Sequence, residues 1–143
     1  MSFHDESYLE PMIRWMIHPK RLEDNPQKFY HYLQIAKYRN IDISDKINST
    51  SLYETYYSTL PHCVVYLTGT LETEYDIEVN FYGKESKIEP ILGILILKLL
   101  VELGADLNIK NYYGETVYDF RNYDNFSGTL THRKDNKELI SLI

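Results

Sequence analysis

The first apolar pattern in the chain has helical spacing. Leu9, Met12, Ile13, Met16 and Ile17 fall on one face of residues 7–17, with Ser7 placed to cap the segment and Pro11 early within it. "HPKRLEDNP" breaks the pattern, because Pro19 and Pro26 both disfavour helix at the residue before them. Periodicity resumes over 27–38, where Phe29, Tyr32, Leu33 and Ala36 share a side. "RNIDISDKINST" then reads as a loop with short extended character, and Ser49 or Thr50 caps a third helix over "SLYETYYS".

Leu60–Leu67 is a short apolar element, and Pro90–Leu103 predicts a strongly apolar helix. Between them, Tyr75, Ile77, Val79 and Phe81 alternate with Asp76, Glu78 and Asn80, the two-residue period of a strand. Gly104 fits the left-handed position just past a helix end, where a side chain would clash. Ala105–Lys110 is too short for a helix and carries the chain outward. "NYYG" predicts a turn with Gly114 at positive φ. Thr116 is a helix-cap candidate with Asp119 three residues on.

A second copy of this junction exists upstream. "DKINSTSLYET" from Asp45 aligns with "NYYGETVYDF" from Asn111, and "NIDI" (40–43) aligns with "DLNI" (106–109), a separation of 66 residues. Half of that is the ~33-residue period of one repeat architecture. With "KLLVELGADLNIKNYYGET" at the junction and "CVVYL" in an apolar second-helix position, the chain resembles the ankyrin repeats. Their pattern runs D-x-x-G-x-T-P-L-H, an apolar second helix, then G-A-D-V-N. A middle unit beginning at Glu78 places that pattern's aspartate at Asp106.

The departures are specific. The T-P-L-H positions read "TSLY", "GKES" and "TVYD" in the three units, without proline or histidine. Asn48 stands for the turn glycine, which asparagine tolerates because it visits the left-handed region. Phe81 stands there in the middle unit, and "NKELISLI" falls late in the last, behind a loop within "RNYDNFSGTLTHRKD".

The resemblance implies a mostly α fold: a short ankyrin-like solenoid of helical hairpins with projecting turns. It would have three to four units in a single domain, with residues 1–39 a divergent N-terminal cap and 40–143 the repeats. The rival from the strand-like run is a small α+β domain.

Charge narrows the partners. Of 143 residues, 21 are Asp or Glu and 15 are Lys or Arg, a net charge of −6. That disfavours a nucleic-acid backbone or an anionic membrane, both of which need a basic face. It leaves room for a basic protein. The start of the chain lacks the basic and apolar regions of a secretory signal, and "ILGILIL" (91–97) is too short to span a bilayer, so a cytoplasmic setting is expected.

Chemistry finds little support. His4, His18, His31, His62 and His132 show no metal-ligand spacing, and no phosphate-cradling loop occurs. No metal or cofactor is expected. Cys63 in "HCVVYL" reads as a buried core thiol. The resemblance therefore implies a non-catalytic protein-binding module, an adaptor or an inhibitor. A sharper version is an immunity or antitoxin-type protein that blocks a basic effector. The alternatives are an α+β enzyme using scattered His, Asp and Tyr, or a structural subunit self-associating through "KELISLI".

In ankyrin repeats the turn tips and the end of the first helix make most partner contacts. By register these positions are Lys46, Ile47, Ser49, Tyr57 and Ser58; then Asn80 and Tyr82; then Tyr112, Tyr113, Glu115, Tyr123 and Asp124. Tyrosine recurs among them, and it supplies large contact area at low entropic cost.

Overall fold

A computed structural model describes residues 7–50, 58–68, 88–118, 121–124, 129–132, 141 and 143. Among the described residues six helices precede a small hairpin: α1 Leu9–Met16, α2 Pro19–Asp24, α3 Pro26–Tyr38, α4 Ser44–Ile47, α5 Leu60–Leu67 and α6 Pro90–Glu102. Strands β1 (Arg121–Asp124) and β2 (Thr129–His132) pair antiparallel, with Tyr123 opposite Leu130 and Asp124 opposite Thr129. The described part of the chain is mostly helical. The expected helix over 51–58 and the strand-like run at 75–81 lie outside the described residues, apart from Ser58.

Pro19 and Pro26 start helices where the sequence pattern predicted a break. Each occupies the first helical turn, where its missing N–H has no intrahelical partner to lose. The residue before each lies outside the helical region, His18 in extended backbone and Asn25 at ψ 86°, and caps the helix. His18 Nδ1 accepts from the Lys20 N–H at 3.0 Å, and Asn25 Oδ1 from the Lys28 N–H at 3.1 Å. A further helical turn, α4, lies within the expected loop.

Helix α2 packs against α3 and α5 against α6, and residues 69–87 between the latter two lie outside the described residues. α2 also lies against α5, α3 against α6 and α1 against α3. The α3 and α6 helices correspond residue by residue. Helices α3 and α6 each have 13 residues and begin with proline, 64 positions apart. The buried residues Phe29, Leu33 and Ala36 correspond to the buried Gly93, Leu97 and Leu100.

Their ends match as well. Asn40 (φ 55°) and Gly104 (φ 102°) follow the helix ends in left-handed geometry. Ile41 N–H donates to the Ala36 carbonyl and Ala105 N–H to the Leu100 carbonyl, both at 2.9 Å, the six-to-one bond of a Schellman end. Asp42 then accepts from the Ser44 N–H at 3.1 Å, as Asp106 does from the Asn108 N–H at 2.9 Å. These two stretches therefore correspond at an offset of 64 residues, two fewer than the letter alignment gave. "NIDI" matches "GADL" in place of "DLNI". Helices α5 and α6, assigned by the 33-residue register to separate units, pack against each other.

Asn48 departs from its expected role too. Its φ is −91°, so it does not replace a turn glycine. Its side chain instead ties the two helix-end connections together, donating to the Gly104 carbonyl at 3.0 Å and accepting from the Asp106 N–H at 2.8 Å. The connections approach so closely that a Cβ on Gly104 would lie 2.9 Å from Ser44 Cβ.

One continuous core joins both helix pairs, containing Ile13, Ile17, Leu22, Phe29, Leu33, Ile43, Ile47, Val64, Ile96, Leu97, Leu100 and Val117. After Thr116 the chain turns at 117–118 and is in strand by Arg121, which leaves no room for the helix expected there. The segment read as a late loop holds the β1–β2 hairpin. Among the described residues no helix is long and apolar enough to cross a membrane.

Candidate functional site

The turn at 111–115 is fixed by its first residue. Asn111 Oδ1 accepts from the Tyr113 N–H at 3.0 Å and from the Glu115 N–H at 2.9 Å. Asn111 N–H donates to the Glu115 carbonyl, and Gly114 N–H to the Asn111 carbonyl, closing the loop. Gly114 takes φ 75°, as its position in "NYYG" predicts. Asn111 and Glu115 are buried, so the turn is rooted at both ends.

Its root reaches across to α5. Buried His62 places Nε2 at 2.9 Å from the Glu115 carbonyl oxygen. A carbonyl only accepts, so the ring proton sits on Nε2 and leaves Nδ1 as an acceptor. Nδ1 faces the Thr59 N–H at 3.2 Å and the Thr59 hydroxyl at 2.8 Å, both at the N-cap of α5. Burial pushes the imidazole below its ordinary pKa, against the upward pull of the Glu115 carbonyl and then of its carboxylate. The same neutral ring thus caps α5 and holds the turn.

The tip left exposed is aromatic. Tyr112 is 70% exposed and Tyr113 45%. Their rings stand edge to face, 5.3 Å between centroids and 87° between planes, a favourable aromatic geometry. With the backbone below them tied at both ends, these rings are presented on an ordered support.

The other expected contact residues do not join them. Ile47 is fully buried in the core, and Ser58 and Glu115 are also buried, so none of the three offers a surface. Ile47 turns inward because it is apolar and joins the core, and Glu115 because its backbone and carboxylate bond to Asn111 and His62. Lys46 is half-buried and its Nζ donates to the Arg14 carbonyl near the end of α1. Ser49 is half-buried and close to it in sequence. Tyr123 and Asp124 lie on β1. Tyr57, Asn80 and Tyr82 fall outside the described residues.

Sequence reasoning missed His62 and Asn48. His62 lacks metal-ligand spacing, but Thr59-Leu60-Pro61-His62 is a capping signature with proline in the first turn. No spacing rule points to Asn48, because its partners lie 56 and 58 residues away.

Two further groups show what their surroundings allow. Burial pushes the Cys63 thiol up to about 12, helped by the charge of Glu23, so it stays protonated and unreactive near neutral pH. Asp45 is held below the usual carboxylate range by its side-chain bonds to Arg14 at 3.0 and 3.1 Å. Among the described residues no three His, Cys, Asp or Glu side chains form a group able to hold a metal ion.

No protein-family model matches the chain, and searches of curated proteins and of solved structures give no significant match.

Proposed function

We propose that the chain is a non-catalytic protein-binding module, an ankyrin-like adaptor or inhibitor that engages another protein through the Tyr112–Tyr113 turn. The observation that carries this reading is the exposure of both rings on a turn tied to the core by Asn111 and His62. An ordered aromatic tip loses little entropy on binding, which makes it effective as an interface anchor.

Three features support the ankyrin-like part. Helices α3 and α6 pack together and correspond, each closed by a left-handed residue and an aspartate-anchored turn. Thr59–His62 reads T-L-P-H, close to the T-P-L-H of the repeat pattern, at a place outside the 33-residue register. Asn111 and Gly114 occupy the D-x-x-G positions of the following turn. The non-catalytic part draws on Cys63, whose thiol is held protonated, and on His62, both of whose ring nitrogens are engaged.

The net charge of −6 favours a basic partner protein, including the effector of an immunity or antitoxin-type pair, within the cytoplasm. Self-association through "KELISLI" is one of the alternatives carried from the sequence, and most of that segment lies outside the described residues.

The test begins with affinity capture using the full chain, followed by calorimetry on the isolated partner. Replacing Tyr112 and Tyr113 together by alanine is expected to weaken binding by about 100-fold, as for two interface anchors worth over 1 kcal/mol each. Unchanged affinity in a variant that melts like the parent rules out this tip as the contact surface.

A further inference from the structure

We propose that Trp15, Arg21 and Lys46 form a second docking site, one that takes an acidic peptide segment of a partner protein. The site lies at the α1–α2 corner and is separate from the tyrosine turn.

The Arg21 guanidinium carbon lies 3.8 Å from the centroid of the Trp15 ring, a cation–π stack. Trp15 is nevertheless 60% exposed, so one face of this platform is open to solvent. Arg21 Nε is buried and makes no hydrogen bond, and Arg21 has no ion pair among the described residues.

Its surroundings add positive charge. Lys46 is held below its ordinary pKa by burial and then by facing Arg14, with Arg21 adding to this and Asp45 opposing it. His18 is lowered by burial, then by Lys46 and Arg21. Arg14 is matched by Asp45 at 3.0 Å and Glu10 at 3.9 Å, so its charge is already answered. Lys46 answers the carbonyl end of α1 through the Arg14 oxygen. That local role accounts for one cation at the helix terminus, where the macrodipole is worth at most about half a charge. It leaves Arg21 unanswered.

An anion placed beside Arg21 would gain a charge-assisted bond to the guanidinium and lie within the field of Lys46. The open indole face offers apolar contact alongside. A peptide carrying carboxylates and short aliphatic stems supplies both. Arg21, which has no ion pair among the described residues, favours an acidic segment over a basic one, while Arg14 and Lys46 are balanced by Glu10, Asp42 and Asp45.

Trp15 is the only tryptophan of the chain, so its fluorescence reports from the site itself. Acetylated oligoglutamate titrated into the full chain at low salt is expected to change Trp15 emission saturably. Arg21→Gln should weaken that response about tenfold or more, the worth of one charge-assisted bond. Thermal melting of the variant checks that it is folded. Tyr112→Ala with Tyr113→Ala should leave the response unchanged, which separates this site from the turn. A response of equal affinity in folded Arg21→Gln, or one given equally by oligolysine, overturns the proposal. So does no saturable response, or saturation by inorganic phosphate with none by the peptide.

Discussion

His62 shows how much one side chain is asked to do. It satisfies Thr59 at the start of α5 and the Glu115 carbonyl at the root of the turn. His62→Ala removes both at once and leaves buried groups unpaired, so a loss of about 2–4 kcal/mol is expected in denaturant unfolding. The pH dependence has a definite sign. The folded pKa lies below the unfolded value of 6.5, so the neutral ring's contribution is fully present above 6.5. It is lost as pH falls from there through the lowered folded pKa. The parent should lose stability over that window, and His62→Gln should lose less of it, as read by urea midpoints across pH.

The two left-handed glycines separate strain from space. A Cβ on Gly114 would meet nothing within 4 Å, whereas one on Gly104 would meet Ser44. Gly114→Ala should cost only the left-handed penalty of about 1–2 kcal/mol. Gly104→Ala should cost more, by an overpacking term of about 1–3 kcal/mol. Thermal melts of the two variants side by side check the order.

At the scale of elements, the prolines are instructive. The rule that proline disfavours helix before it is correct, yet the sequence-based expectation of a break at 18–26 failed. A six-residue helix fits between two such boundaries when each proline occupies its own helix's first turn. The 13-residue helix α6 was legible because its apolar run is long, and it ended one residue earlier than expected. Position 93 in that helix is set by a neighbour. A Cβ there would lie 2.3 Å from Thr68 Oγ1, whose hydroxyl donates to the Val64 carbonyl at 2.6 Å. The close approach of α5 to α6 thus depends on glycine.

The equivalence of α3 and α6 makes a paired prediction. Leu33 and Leu97 occupy the same place in the two helices and are both fully buried. Leu33→Ala and Leu97→Ala should each cost about 2–5 kcal/mol, the range for a buried leucine. Both should unfold in one transition, because a single core spans both helix pairs. Two separated transitions in either variant would contradict that shared core.

At the scale of the whole molecule, polar bonds link the ends of α3 and α6 and the connections that follow them. The Lys37–Glu102 ion pair joins the ends of α3 and α6, but it is exposed, and such pairs contribute about 0–1 kcal/mol. Asn48 is the stronger link, since its amide pairs with two backbone groups of the other connection. Asn48→Ala should cost about 1–3 kcal/mol. It should also raise hydrogen exchange at the Asp106 amide first, which exchange measured by NMR can resolve.

The sequence by itself determined the apolar helix faces, the left-handed roles of Gly104 and Gly114, the turn at "NYYG" and the burial of Cys63. Each follows from local spacing or from a conformational limit of one residue. It also pointed to a recurrence of apolar positions and turn residues, and α3 with its end does correspond to α6 with its end. It misplaced the register by two residues, since short matching letters can slide where hydrogen bonds cannot. Only the tertiary structure decided that α5 pairs with α6, that His62 reaches Glu115, and that Ile47, Ser58 and Glu115 face inward. These depend on which distant surfaces meet, and pairings across 53 to 58 residues leave no periodic trace in the chain. The tyrosine tip belongs to both: the letters put two rings on a turn, and packing beneath them keeps that turn in one shape.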